Sequence, residues 1–194
     1  MKKVAVFCGA SIGYNPVYKE KAKELGRFLA QNKVEIVFGG GKFGMMGSVA
    51  DASLSMGGHV IGVIPEFLKT EEILHPDIHQ TLVTKTMFER KREISKMVDA
   101  YIGLPGGFGT LDEIMEVLTL GQLQIEQKPI GLLNVNGFFD PLLQQFDLMV
   151  KEGFLKPENN AMVLHSPDIN DLWQQLFDYK APKVSKIIQT VATK

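Results

Sequence analysis

Short apolar runs rich in β-branched residues alternate with longer helical patterns along this chain, and few folds accommodate that alternation. Val4 to Cys8 predicts a strand, followed by a helix from about Pro16 to Gln31. Val34 to Phe38 and His59 to Ile64 are the next strands, with a helix from about Met45 to Met56 between them. Residues 66–79 are polar and irregular. Thr81 to Lys85 reads as a short strand before a helix over Met87 to Met97. Ala100 to Leu104 is a strand, Leu111 to Leu123 a helix and Pro129 to Asn134 a strand. Helices from about Phe139 to Glu152 and from Asp168 to Tyr179 complete the core. The strands are nearly continuous apolar runs, as in a sheet covered on both faces. Strands joined through helices imply right-handed βαβ crossovers. The expectation is an α/β fold, a mostly parallel sheet with helices on both faces. At 194 residues the chain suits one domain over 1–180, with 181–194 as a tail.

Charge and cysteine content narrow the partners. A net charge of −1 gives no electrostatic reason to expect nucleic acid or an anionic membrane. No stretch approaches the roughly 20 apolar residues of a membrane span. The opening apolar run stops at Gly9, too short for the core of a signal peptide, so a first strand is expected instead. The single cysteine, Cys8, excludes an internal disulfide framework and a cysteine-based zinc site, and a reducing cytoplasm fits.

Two glycine-rich loops each follow a strand and precede a helix. Gly39-Gly40-Gly41-Lys42-Phe43-Gly44 matches G-x-G-x-x-G. It follows the second strand rather than the first, and the next strand ends at Ile64-Pro65 without the acid that a dinucleotide site needs. Close packing of strand, loop and helix is the favoured role, with this backbone lining a crevice at the strand ends. Pro105-Gly106-Gly107-Phe108-Gly109-Thr110 lies at the carboxyl edge of the sheet. Its glycines permit positive φ and the close approach of an anion. Thr110 is a candidate helix cap, which would turn the free N–H groups and the positive end of the dipole toward a phosphate.

Ionisable residues beside this loop add chemistry. Thr110-Leu111-Asp112-Glu113 fits the capping box S/T-x-x-E, which gives Glu113 a structural role. The alternative places Glu113 one helical turn from a bound phosphate, where a carboxylate can stabilise an oxocarbenium-like transition state or activate water. Glu116 shares its helix face. On the helix Met87 to Met97, Arg90 and Lys91 fall on the apolar stripe with Met87, Ile94 and Met97. Glu89, Arg92, Glu93 and Lys96 form the opposite, solvated face. Inward cations need acid partners or a polar cavity, and a bound phosphate would supply the negative charge.

Met87-Phe88-Glu89-Arg90-Lys91, followed by Pro105-Gly106-Gly107-Phe108-Gly109-Thr110-Leu111-Asp112-Glu113, resembles the LOG family of cytokinin riboside 5'-monophosphate phosphoribohydrolases, long mislabelled as lysine decarboxylases. Cys8-Gly9-Ala10-Ser11, the loop Gly39-Gly40-Gly41 with Gly44-Met45-Met46-Gly47, and Lys128 to Asn134 stand in matching order. Phe88 stands where a His is common, and Ala10 where a Ser is common. The resemblance implies a modified Rossmann fold, a homodimer, and no metal or organic cofactor. It implies hydrolysis of the N-glycosidic bond of AMP or an N6-substituted AMP, releasing the base and ribose 5-phosphate. Arg90 and Glu113 match the catalytic residues. Glu72, Arg90, Lys91, Gly107, Phe108, Gly109, Thr110, Leu111, Asp112, Glu113 and Thr119 match the substrate contacts; Gly106 and Glu116 are added from the loop and helix readings above. Two rivals remain. Lysine decarboxylation needs pyridoxal phosphate on a lysine, for which Lys42 and Lys91 are candidates. A nucleotide sensor or carrier would use the same loop and cations without turnover.

Overall fold

Side chains alternate along the central strands and feed two separate cores. Val4 and Val6 of β1 (Lys3–Phe7) pack with Ile36 and Phe38, while Ala5 and Phe7 pack with Val37 and Tyr101 on the other side. The computed structural model describes residues 1–70 and 73–183. Within them, β1 is followed by α1 (Pro16–Gln31), β2 (Glu35–Phe38), α2 (Gly44–Leu54), β3 (Val60–Pro65), β4 (Gln80–Thr84) and α3 (Met87–Met97). Then come β5 (Ala100–Gly103), α4 (Phe108–Gln122), β6 (Ile130–Leu133), α5 (Asp140–Lys151), the short α6 (Pro157–Asn160), β7 (Val163–Ser166) and α7 (Ile169–Asp178).

The seven strands described pair in parallel, in the order β4-β3-β2-β1-β5-β6-β7. Residues of α1, α2 and α7 enter the first core, those of α3, α4 and α5 the second. This is an α/β Rossmann-like fold with helices on both faces. The connections leave β1 in opposite directions, toward β2 and β5, so the sheet has its switch point between β1 and β5. A crevice opens there beyond the carboxyl ends of the strands.

Local chemistry starts the helices. Asn15 Oδ1 accepts from Val17 N, and Pro16 fits the first turn of α1. Thr86 Oγ1 accepts from Glu89 N at α3, and Glu89 Oε2 accepts from Lys85 N. Thr86-x-x-Glu89 thus makes a cap close to the one that the pattern Thr110-x-x-Glu113 would allow, with Glu89 accepting from the residue before the cap.

Two expectations need correction. α4 begins at Phe108, about a turn earlier than expected, because extended Gly107 is its N-cap and Thr110 lies inside the first turn. The strand β7 and helix α6 were not foreseen; β7 is four residues long at the sheet edge, too short to give a clear period. Of the expected tail 181–194, residues 184–194 lie outside the described residues. Among the described residues, no helix is long and apolar enough to cross a membrane.

Candidate active site

Loops from four strands meet at the carboxyl edge of the sheet around a cleft of about 390 Å³. Cys8 to Ala10 follow β1, Gly39 and Gly41 follow β2, Pro65 ends β3 with Leu68 just beyond it, and Gly107, Gly109 and Thr110 follow β5. Arg90 of α3 and Glu113 of α4 form one flank. A second hollow of about 400 Å³ over the switch point, lined by Ser11, Tyr18, Gly106 and Phe138, shares Gly9, Ala10 and Gly107 with it.

The glycines act through space rather than backbone sign. Gly106, Gly107 and Gly109 are absent from the positive-φ positions, contrary to the expectation. A Cβ on Gly106 would lie 2.2 Å from Thr110 Oγ1 and 2.8 Å from Gly9 N, so this glycine lets the two loops touch. Gly9 N donates to Pro105 O at 3.1 Å and holds that contact. On Gly107 and Gly109 a Cβ would meet nothing within 4 Å. Both line the cleft, so a ligand can approach this backbone directly. The first-turn N–H groups of α4 have no intrahelical acceptor and sit at the positive end of its dipole. In the other loop, Gly44 has φ +67° and its Cβ would strike Ala10 C and O at 2.2 Å, whereas Gly39 and Gly41 line the cleft. That loop both packs and lines.

Arg90 is 8% exposed although it is charged. Its Nε donates to Val63 O at 3.0 Å and its Nη1 donates to Glu113 Oε1 at 2.6 Å. The guanidinium rests against Gly39, where a Cβ would come within 2.8 Å of Nη2. Glu113 is equally buried, at 8%. Its carboxylate therefore binds Arg90 across two helices, and Gly107 rather than Thr110 caps the helix, which replaces the capping-box alternative. Burial lifts the Glu113 carboxyl above its ordinary range, and Arg90 offsets only part of that lift. Cys8, also at the cleft, is a buried thiol pushed up by desolvation and so is unreactive.

Lys91 takes a different position. Its Nζ pairs with Asp112 Oδ2 at 2.8 Å and with Glu116. Burial alone would lower its pKa, but the bonds to Asp112 and Glu116 hold it above the ordinary lysine range. Lys91 and Glu116 line a larger groove of about 700 Å³ between α3 and α4, and Glu113 borders both spaces.

Comparison with known proteins agrees with this architecture. The family described as "Possible lysine decarboxylase" matches residues 46–176. A cytokinin riboside 5'-monophosphate phosphoribohydrolase of Arabidopsis thaliana is 42% identical over 179 residues, covering 92% of this chain and 82% of the relative. A probable enzyme of the same description from Oryza sativa subsp. japonica is 43% identical over 178 residues, covering 92% and 78%. The chain belongs to the LOG family. The molybdenum cofactor carrier protein of Chlamydomonas reinhardtii shares the fold, with a TM-score of 0.69 at 19% identity over 92% of this chain and 99% of that one.

The LOG-type motifs thus converge only in part. Arg90, Glu113, Gly107, Gly109, Thr110 and Asp112 surround one cleft, and Gly106 joins it to the neighbouring hollow. Leu111 is half-buried against the second core, and Phe108 is 93% exposed at the loop tip. Thr119 is exposed on α4, its Oγ1 donating to Met115 O at 2.7 Å, and it is among the lining residues of neither the cleft nor the groove. Phe88 is exposed at the groove, away from the cleft. Glu72 lies outside the described residues. The apolar wall of Met46, Ile64, Leu68, Ile73 and Met87 was not foreseen, since these residues are scattered over four segments. Of the two lysines that Schiff-base chemistry could use, Lys91 is tied up in ion pairs with Asp112 and Glu116, and Lys42 is not among the residues that line the cleft.

Proposed function

We propose that this protein is a phosphoribohydrolase acting on AMP or N6-substituted AMP. The observation that carries the reading is the buried Arg90–Glu113 pair beside an open glycine backbone, in a chain that belongs to the LOG family. The 5'-phosphate sits on the Gly107, Gly109 and Thr110 end of α4, where amides and dipole complement a dianion. The apolar wall of Met46, Ile64, Leu68, Ile73 and Met87 receives the base. Arg90 orients the phosphate or ribose and fixes Glu113. As the C1'–N9 bond breaks, its electron pair leaves with the base, and positive charge grows on the ribose. Ionised Glu113 stabilises that charge or orients the attacking water and takes its proton, while the base gains a proton from solvent. Products are free base and ribose 5-phosphate.

Two further elements belong to the same reading. The protein works as a homodimer: Phe88, Met115, Leu123 and Ile125 expose apolar surface along the α3 and α4 side. Thr119 shares the α4 stripe with Met115 and Leu123, four residues from each, and so belongs to that face rather than to the cleft floor. A cytoplasmic location is consistent with the one buried thiol, Cys8. The rival sensor or carrier would bind AMP without cleaving it. Chromatography of AMP incubated with wild type, Glu113→Ala and Arg90→Ala separates them. We expect base release by wild type and a drop of about 10²–10⁴ in kcat for Glu113→Ala. Unchanged AMP after exposure to the wild type, or full turnover by folded Glu113→Ala, would overturn the assignment.

A further inference from the structure

His75 is a buried polar residue outside the mechanism above, 3% exposed in the segment between β3 and β4. Its contacts define its proton. Nδ1 accepts from Asp77 N at 3.2 Å, so the hydrogen is on Nε2, which donates to Asp51 Oδ1 of α2 at 3.0 Å. The backbone around it is stitched to the first glycine loop. His75 N donates to Gly40 O at 2.8 Å, Lys42 N donates to Ile73 O at 2.9 Å, and Gly41 and Leu74 form an isolated antiparallel bridge. Gly39, Gly41 and Ile73 all line the cleft, and Gly39 is the surface on which the Arg90 guanidinium rests.

We propose that the His75–Asp51 pair is a positioning device that docks residues 73–75 against Gly40–Lys42 and so sets one wall of the substrate cleft. The glycine loop has few side chains with which to hold its own shape. The segment that covers it has no regular secondary structure around Ile73. Two backbone hydrogen bonds hold this short bridge, and a buried imidazole tied to α2 fixes the direction of approach. Asp51 is 71% exposed at its side chain, so it supplies an anchor without being part of the core. Neither residue reaches the substrate. Loss of the pair loosens Ile73 and the Gly39–Gly41 backbone, which weakens nucleotide binding while leaving Glu113 in place. The effect on KM rests on the proposed function; the effect on the backbone does not.

The test uses Asp51→Ala and Asp51→Asn, the latter retaining an oxygen acceptor for Nε2–H. Asp51→Ala is expected to raise the KM for AMP about tenfold with kcat within about twofold of wild type. Hydrogen exchange at the amides of Lys42 and His75 should quicken in parallel. Asp51→Asn should restore both. A wild-type KM with wild-type exchange in Asp51→Ala overturns the role, as does a fall in melting temperature with KM unchanged, which marks a merely structural residue. If the wild type itself releases no base, the hydrolase reading fails separately, and the dissociation constant for AMP by calorimetry replaces KM in the same comparison.

Discussion

Gly106 and Gly109 stand three residues apart and use the missing side chain in opposite ways. A methyl on Gly106 would collide with Thr110 Oγ1 and with the backbone of Gly9, whereas one on Gly109 points into open cleft. Gly106→Ala is therefore expected to lower the denaturation midpoint. Gly109→Ala should gain about 0.5–1 kcal/mol of stability, the usual advantage of alanine within a helix, yet bind AMP more weakly. Urea melts paired with KM measurements distinguish the two. Glu113 gives a second prediction at this scale. Its folded pKa lies above 4.5, so the native state holds the proton more tightly and stability from this group declines as pH rises through that window. The role proposed for Glu113 needs the ionised form, so kcat should climb with pH along an acid limb above the ordinary glutamate range. Arg90→Ala removes the partial offset and should move that limb to higher pH; a limb that stays in place would show that Arg90 does not tune Glu113.

At the scale of elements, helices α3 and α4 are joined by polar contacts that sequence spacing could suggest but not pair. Arg90 and Lys91 do lie on the inner stripe of α3, as the helical period requires. Their partners, Glu113 for one and Asp112 with Glu116 for the other, come from a helix more than twenty residues on. That division is why Arg90 serves the cleft while Lys91 serves the groove. The helix start was misassigned for a similar reason: Thr110 and Glu113 satisfy the capping-box pattern, but the chain enters α4 through Gly107, and only the path of that loop reveals it. A third polar link secures the far end of the groove. Glu126 accepts from Ser95 Oγ at 2.7 Å and Tyr101 OH at 2.6 Å, and pairs with Lys128 at 2.7 Å. Burial would raise its pKa, but these partners outweigh burial and hold it below the ordinary range. Its stabilising contribution is present above an unfolded pKa near 4.5 and is lost as pH falls through the lower folded value. Glu126→Ala should cost about 1–3 kcal/mol at neutral pH by removing the acceptor shared by Tyr101, Ser95 and Lys128, a loss that urea denaturation measures, and the deficit should shrink in acid.

For the whole molecule, two groups of exposed apolar residues flank the site. Leu68, Ile73 and Met87 lie around the cleft, and Phe88, Leu123 and Ile125 lie along the α3–α4 side. If the second group is the homodimer face, wild type should sediment as a dimer, and Ile125→Glu or Phe88→Glu should shift it toward the monomer. A wild type that sediments as a monomer at micromolar concentration would sink that assembly. The sequence by itself determined the alternation of strand and helix, the parallel sheet with two covered faces, and the glycine loop on which the cleft is built. Those are local properties: apolar period, glycine placement and inward cations belong to short stretches of chain. Tertiary structure alone decided that Glu113 is an ion-pair partner rather than a cap, that Lys91 and Thr119 do not line the cleft, and that His75 pairs with Asp51. Each of those depends on which residues meet across the sheet edge, and contacts between segments dozens of residues apart leave no period in the sequence.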